Sequence, residues 1–590
     1  MLERWESEDP ADARLAREAT GVLAAFNAAG VLTAADVHVA GRLAELVGEA
    51  GDDVRLAVAL AVRAVRHGSV CVDLAALVAD EADADLPWPE ADGWLDRVAA
   101  SPYAARSVVQ VEDGLLYLDR YWREETQVHA DLLTRLDHPV PTVADRDGVT
   151  TDAERLFPGP GYDEQRAAAL TAVTQSTTLL TGGPGTGKTT TVAGLLALLA
   201  ADARSPLRIA LTAPTGKAAA RLQETVESAQ QGVGFEEADR ARLRGLSAST
   251  LHRLLGWRPG SRTRFKHHRG NRLPHDVIVV DETSMVSLTM MARLLEAVRP
   301  STRLILVGDP DQLASVEAGA VLSDLVGGLA TRAPAAVAAL ATTHRYGSTI
   351  GQVAEALRDR DADRVLDLLR AGADGVSLVD PDDAAAMEHV RATLVDHAVA
   401  VREVAARGER DDALDAVERH RLLCAHREGP WGVQHWNRQV ERWLGEETGA
   451  AIGAGWGQEW YVGRPVLVTA NDYGLGLFNG DSGVVVAEGE QLRAVIASGE
   501  TRSFAPSRLS DIETLHAMTV HKSQGSQADA VTVLLPPEDS PLLTRELFYT
   551  AVTRARTSLR VVGSEAAVRA AVTTTAGRAT GLKRRLGTER

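Results

Sequence analysis

The chain has 590 residues, too many for one hydrophobic core, and its 81 acidic against 63 basic side chains give a net charge of −18. No apolar run approaches the ~20 residues that cross a bilayer, and the N-terminus MLERWESEDP is too acidic for a secretory signal. The two cysteines, Cys71 and Cys424, lack CxxC or Cys/His spacing, which argues against a disulfide scaffold, a zinc site or an iron–sulfur cluster and points to a reducing cytoplasm.

Charge is unevenly spread. Residues 1–150 hold 28 acids and 13 arginines, a balance of −15, and the other 440 hold 53 acids and 50 bases, a balance of −3. The later part can therefore carry a local basic groove, and the negative sum does not exclude nucleic-acid binding.

In chain order, residues 1–137 are predicted helical, with Leu, Val and Ala at helical intervals in Arg14–Val47, Leu56–Val65 and Leu115–Leu136. Residues 138–160 turn to Pro, Gly, Asp and Thr without period and read as a linker. Residues 161–349 form a first α/β unit, whose apolar runs Thr177–Thr181, Arg208–Thr212, Val277–Val280 and Leu304–Val307 read as buried parallel strands. A second α/β unit is expected over 350–570, with an inserted small β-barrel at about 455–512. The basic tail 571–590 has no apolar period and is expected to fray.

The strongest chemical signal is the run Gly182, Gly183, Pro184, Gly185, Thr186, Gly187, Lys188, Thr189 and Thr190, directly after a strand and before an apolar helix. A glycine-rich turn lets backbone N–H groups curl around a triphosphate. Lys188 supplies a cation for the β/γ oxygens, and Thr189 a hydroxyl for Mg²⁺. The run Val277–Val280 then delivers Asp281 for the metal's shell and Glu282 to orient or deprotonate the attacking water. Leu304–Val307 leads into Gly308-Asp309-Pro310-Asp311-Gln312, which puts Gln312 beside the phosphates to sense the terminal one. Arg345 and Arg554, far along the chain, are candidate arginine fingers; Arg554 would come from the second unit and tie hydrolysis to closure.

These motifs, with Tyr162–Ala168, Leu211–Leu222, Ser249–Gly256, Met518–Gly525 and Tyr549–Arg556, resemble in order and spacing the RecD family of superfamily 1 DNA helicases. The resemblance covers roughly residues 160–560. It implies two RecA-like P-loop NTPase domains, an N-terminal helical domain and a small SH3-like β-barrel insertion in the second motor domain. It also implies ATP and Mg²⁺ as nucleotide and cofactor, and 5′→3′ movement. Gln165 would read the adenine. Thr212, Pro214, Thr215, Lys217, His252, His521 and Ser523 would line a path for single-stranded DNA. The basic stretch 257–274 would form a hairpin that parts the strands, the alternative being a solvated basic loop.

The implied partners are RecB-like and RecC-like subunits, with the N-terminal domain docking on the RecC-like one; bracing the motor is the alternative role for that domain. The residues two before the five lysines are Thr186, Thr215, Arg264, Val520 and Gly581. The chain therefore has no (D/E)-x-K element, and it is not expected to be the nuclease. Two other functions share the motifs: a stand-alone helicase, and a regulatory subunit with an idle nucleotide site.

Overall fold

The computed structural model describes residues 4–588 except 8, 50, 81–85, 139–144, 204, 259–263, 343–348, 454–458, 473 and 499. The N-terminal region opens with helices Gly21–Ala28, Ala34–Val47 and Asp52–Arg66. Asp52 and Asp53 in the first turn of the third helix, and Arg63 and Arg66 in its last, oppose the helix dipole with the favourable signs.

The region is not wholly helical. Cys71–Val72, Val109–Glu112 and Leu115–Leu118 form a three-stranded antiparallel sheet, and the long helix begins only at Asp119 and runs to Leu136. Asp113 and Gly114 join the hairpin with φ of 52° and 79°, the left-handed pair that a tight two-residue turn requires.

The first α/β domain is a six-stranded parallel sheet ordered Ala248–Thr250, Ile209–Ala213, Val277–Val280, Arg303–Gly308, Thr177–Gly182, Val337–Leu340. Three successive strands in that order end in the nucleotide motifs, so Asp281, Asp309 and the glycine-rich loop share one edge. The expected linker is only partly one. Residues 146–156 form a helix, Arg146–Leu156, and its Val149, Ala153 and Leu156 enter the same core as Leu195 and Val279.

The second domain is a five-stranded parallel sheet ordered Val376–Val379, Ala555–Val562, Ala528–Leu534, His420–Cys424, Ala517–Thr519. Between its last two strands the chain leaves to build a five-stranded antiparallel sheet from Pro465 to Thr514. That insertion alternates as a two-sided sheet must. Val485 and Ile496 face a core with Val466 and Phe504, while Val484 and Val486 pack on Val401 and Ala413.

The tail does not fray. Helix Leu582–Gly587 buries Leu582 and Leu586 against helix Val321–Arg332 of the first domain. Gly327 and Gly328 in that helix admit it: a Cβ on Gly328 would stand 2.5 Å from the Leu586 Cβ. Arg585 then bonds Glu112 and Glu125 of the N-terminal region, and the Ala579 carbonyl accepts from Val70. The tail thus fastens the N-terminal domain to the first α/β domain. Among the described residues no helix is long and apolar enough to cross a membrane.

Candidate functional site: a nucleotide cleft and an adjoining groove

The loop from Gly182 to Gly187 leads into helix Lys188–Asp202. Lys188 Nζ donates to the carbonyl oxygens of Gly182 at 2.6 Å and Gly183 at 2.9 Å, so a cation lies inside the loop where phosphate oxygens would compete for it. Thr186 is buried and donates to the Gly183 carbonyl, and Gln165 Nε2 donates to the Thr186 carbonyl at 3.0 Å. Gln165 therefore braces the loop in this structure. Pro184 and Gly185 line the turn half-buried, as does Thr189 at the helix start, and Thr190 is exposed.

Asp281 follows strand Val277–Val280, and its carboxylate accepts from the Glu282 N–H at 2.8 Å. Burial, reinforced by the charge of Glu282, pushes its carboxyl up to about 6. Glu282 adopts φ 50°, ψ 43°, a left-handed conformation that costs a non-glycine residue about 1–3 kcal/mol and is held here by the buried turn Thr283–Met285. The adjacent carboxylates and the Thr189 hydroxyl are the hard oxygen donors that Mg²⁺ prefers, and a divalent cation would relieve their mutual repulsion.

Gln312 is 6 % exposed; its Nε2 donates to Asp309 Oδ2, and its Oε1 is buried with no hydrogen-bond partner among the described residues. The same Asp309 oxygen accepts from the Tyr549 hydroxyl of the second domain at 3.0 Å. The next residue, Leu313, is gripped at both backbone atoms. Its N–H donates to Thr550 Oγ1 at 2.8 Å and its carbonyl accepts from Gln524 Nε2 at 2.7 Å. The turn that carries Gln312 is thus read directly by the second domain.

Arg554 is 3 % exposed, and burial pushes its guanidinium down. Its Nε, Nη1 and Nη2 donate to Thr550 O, Ser526 O and Thr553 Oγ1 of its own domain, and the Glu282 charge acts on it from the first domain. Arg345 lies outside the described residues.

A second feature opens beside this cleft, a cavity of about 740 Å³. Pro214, Thr215, Lys217, His252 and His521 line it together, from both α/β domains. Two other sequence candidates do not. Thr212 is fully buried at the end of its strand, and Ser523 is 1 % exposed with its hydroxyl on the Val520 carbonyl. Lys217 also bonds Glu418 of the second domain at 3.2 Å, and burial pushes its ammonium down. The sequence reading missed Arg120 and Tyr121 of the N-terminal region and Asn479 of the insertion, which complete the wall.

Residues 165–318 match the family model of an AAA domain, residues 514–562 that of a UvrD-like helicase C-terminal domain, and residues 28–114 that of the RecBCD enzyme subunit RecD N-terminal domain. The RecBCD enzyme subunit RecD of Mycolicibacterium smegmatis is 60% identical over 564 residues, 95% of this chain and 98% of that protein. The protein of that name from Mycobacterium tuberculosis is 59% identical over 583 residues, 98% of each chain.

The chain belongs to the RecD family.

Similarity extends to the ATP-dependent RecD2 DNA helicase of Deinococcus radiodurans, 33% identical over 79% of this chain and 58% of that one. Against this RecD background the basic stretch folds back on itself. Trp257 bridges Phe265, Lys266 and His267 donate to the carbonyls of Gly256 and Leu255, and Arg269 pairs with Asp131. Residues 259–263 lie outside the described residues.

Proposed function

We propose that this chain is the ATP-driven 5′→3′ DNA motor of a RecBCD-type complex, working with RecB-like and RecC-like subunits on single-stranded DNA at duplex ends in double-strand break repair. The observation that carries the reading is the hold of Thr550, Gln524 and Tyr549 on the turn beside Gln312. A residue placed to feel the terminal phosphate is thereby joined to the other domain.

In this mechanism Lys188 exchanges its two carbonyl partners for the β and γ oxygens of ATP. Thr189 and Asp281 would hold Mg²⁺, which when bound would supply positive charge to offset that of the phosphates. Glu282 takes a proton from water as the water oxygen bonds to the γ phosphorus. The bond from that phosphorus to the bridging oxygen breaks, and its electron pair leaves with ADP. Gln312 loses its contact to the departing phosphate, and the grip on Leu313 passes the change to the second domain.

Pro214, Thr215, Lys217, His252 and His521 would hold the DNA backbone through hydroxyl, imidazole and ammonium groups, loosely enough to release it each cycle. The hairpin around 257–274 would part the strands, and the insertion at about 455–512, as an SH3-like barrel, would close the DNA path. Residues 1–137 would dock on the RecC-like partner, with 161–349 and 350–570 as the two motor units. The absence of a (D/E)-x-K element supports a role other than nuclease.

The test is DNA-stimulated ATP turnover by the chain and by Lys188→Gln, with unwinding of 5′-tailed and 3′-tailed duplexes. Equal turnover by the two proteins, or a preference for the 3′-tailed duplex, would refute the reading.

A further inference from the structure

Arg358 ends helix Thr349–Arg358 of the second motor domain. A Cβ built on Gly183 of the nucleotide loop would lie 3.6 Å from Arg358 Nη1 and 3.1 Å from the Tyr549 hydroxyl. The guanidinium therefore stands over the glycine whose carbonyl holds Lys188. It is half-buried, and among the described residues it makes no hydrogen bond and no ion pair. The Asp311 carboxylate acts on it only through space, without a bond, so its N–H donors stand open to an arriving anion. Its neighbour in the cleft differs: Arg554 already bonds three oxygens of its own domain.

We propose that Arg358 is a further catalytic residue, a second-domain cation that contacts the terminal phosphoryl group of a bound nucleoside triphosphate across the cleft. The inference rests on the nucleotide reading above. Charge gathers on the γ-phosphoryl and bridging oxygens as the water–phosphorus bond forms and the bond to the bridging oxygen breaks. A planar fork reaching over Gly183 can donate to two of those oxygens at once. Reaching them from the second domain, it also favours the closed cleft only while the terminal phosphate is present.

The test uses the full-length chain, Arg358→Ala and Arg358→Lys, with fluorescent ADP, ADP plus aluminium fluoride, and single-stranded DNA. For Arg358→Ala we expect kcat to fall about 10²-fold with KM changed less than about threefold. ADP affinity should be unchanged, while affinity for the aluminium fluoride complex drops by about tenfold or more. Arg358→Lys should recover only part of the loss, because a point charge cannot form the fork; it carries the test if the alanine variant does not fold. Wild-type turnover in both variants, or equal weakening of ADP and its fluoride complex, would overturn the proposal. If the wild-type chain itself binds no nucleotide, the functional reading fails first and Arg358 with it.

Discussion

The first motor domain is joined to its neighbours in two different ways. Toward the N-terminal region and the C-terminal helix it shares a continuous apolar core: Tyr117, Val128, Leu132, Leu582 and Leu586 pack with Leu251, Met291 and Leu325. Buried charge is tied into that contact. Arg135 bonds Thr177 Oγ1 and the carbonyls of Ser176, Arg299 and Thr302, and Arg585 lies between Glu112 and Glu125. Toward the second motor domain, Leu313 alone among the described residues of the first domain enters the second domain's main core. Polar contacts cross there as well, among them Lys217 to Glu418, Arg221 to Gln527 and Tyr549 to Asp309. Each such bond is worth about 0.5–1.5 kcal/mol net and can be remade with every cycle, whereas an apolar core cannot open by degrees. One junction is built to hold and the other to move.

The largest effect expected on the moving side is chemical. Lys188→Ala should lower ATP turnover by about 10³-fold or more while leaving chemical denaturation unchanged; a large loss of stability instead would make Lys188 a structural cation. On the holding side, Arg585→Ala leaves the Glu125 carboxylate, whose side chain is 0 % exposed, without its cation. A loss of about 3 kcal/mol in urea denaturation is expected, with turnover at 25 °C within about twofold of wild type. Unchanged stability would break the contrast between the two junctions.

Acid should destabilise the second motor domain through its buried histidines. Burial pushes His397 down to about 4, and His420 and His516 to about 3, so the folded chain keeps all three neutral. Unfolded histidine titrates near 6.5, so below that pH the unfolded chain takes up protons that the folded one does not. Stability is therefore full above about pH 6.5 and falls toward pH 4, by up to about 1.4 kcal/mol per pH unit for each histidine. A His397→Gln, His420→Gln chain should show a shallower fall in melting temperature over that window; an identical slope would contradict the account. The smallest effect belongs to Tyr549→Phe, which removes only the hydroxyl on Asp309. Stability should change by less than about 1 kcal/mol, and DNA stimulation of turnover should fall by about threefold.

Local chemistry was legible in the sequence, and long-range packing was not. The glycine-rich loop and the apolar run before Asp281 carry their meaning within a dozen residues, so strand, loop and carboxylate fall where the pattern puts them. The run Leu115–Leu118 suits either a helix or a strand by itself, and only the preceding Asp113-Gly114 turn decides for a hairpin. Val149, Ala153 and Leu156 have helical spacing within a polar stretch, a signal hidden by the surrounding Asp and Thr. The tail offers just Leu582 and Leu586 to a partner some 250 residues earlier, and no local period marks it. Thr212 and Ser523 carry the right chemistry for a DNA path, yet both side chains turn into the interior. Arg358 belongs to no motif; only the fold brings it over Gly183.

The most direct measurement is the distance between the two motor domains as the nucleotide changes. Labels at Glu237→Cys in the first domain and Asp539→Cys in the second would report it, since both positions are exposed while Cys71 and Cys424 are buried and their thiols pushed up by that burial. A second pair, Arg42→Cys with Glu237→Cys, spans the holding junction. The first distance should shorten with a non-hydrolysable ATP analogue and relax with ADP, while the second stays fixed. Equal first distances in both nucleotide states, or a change confined to the second pair, would contradict the account.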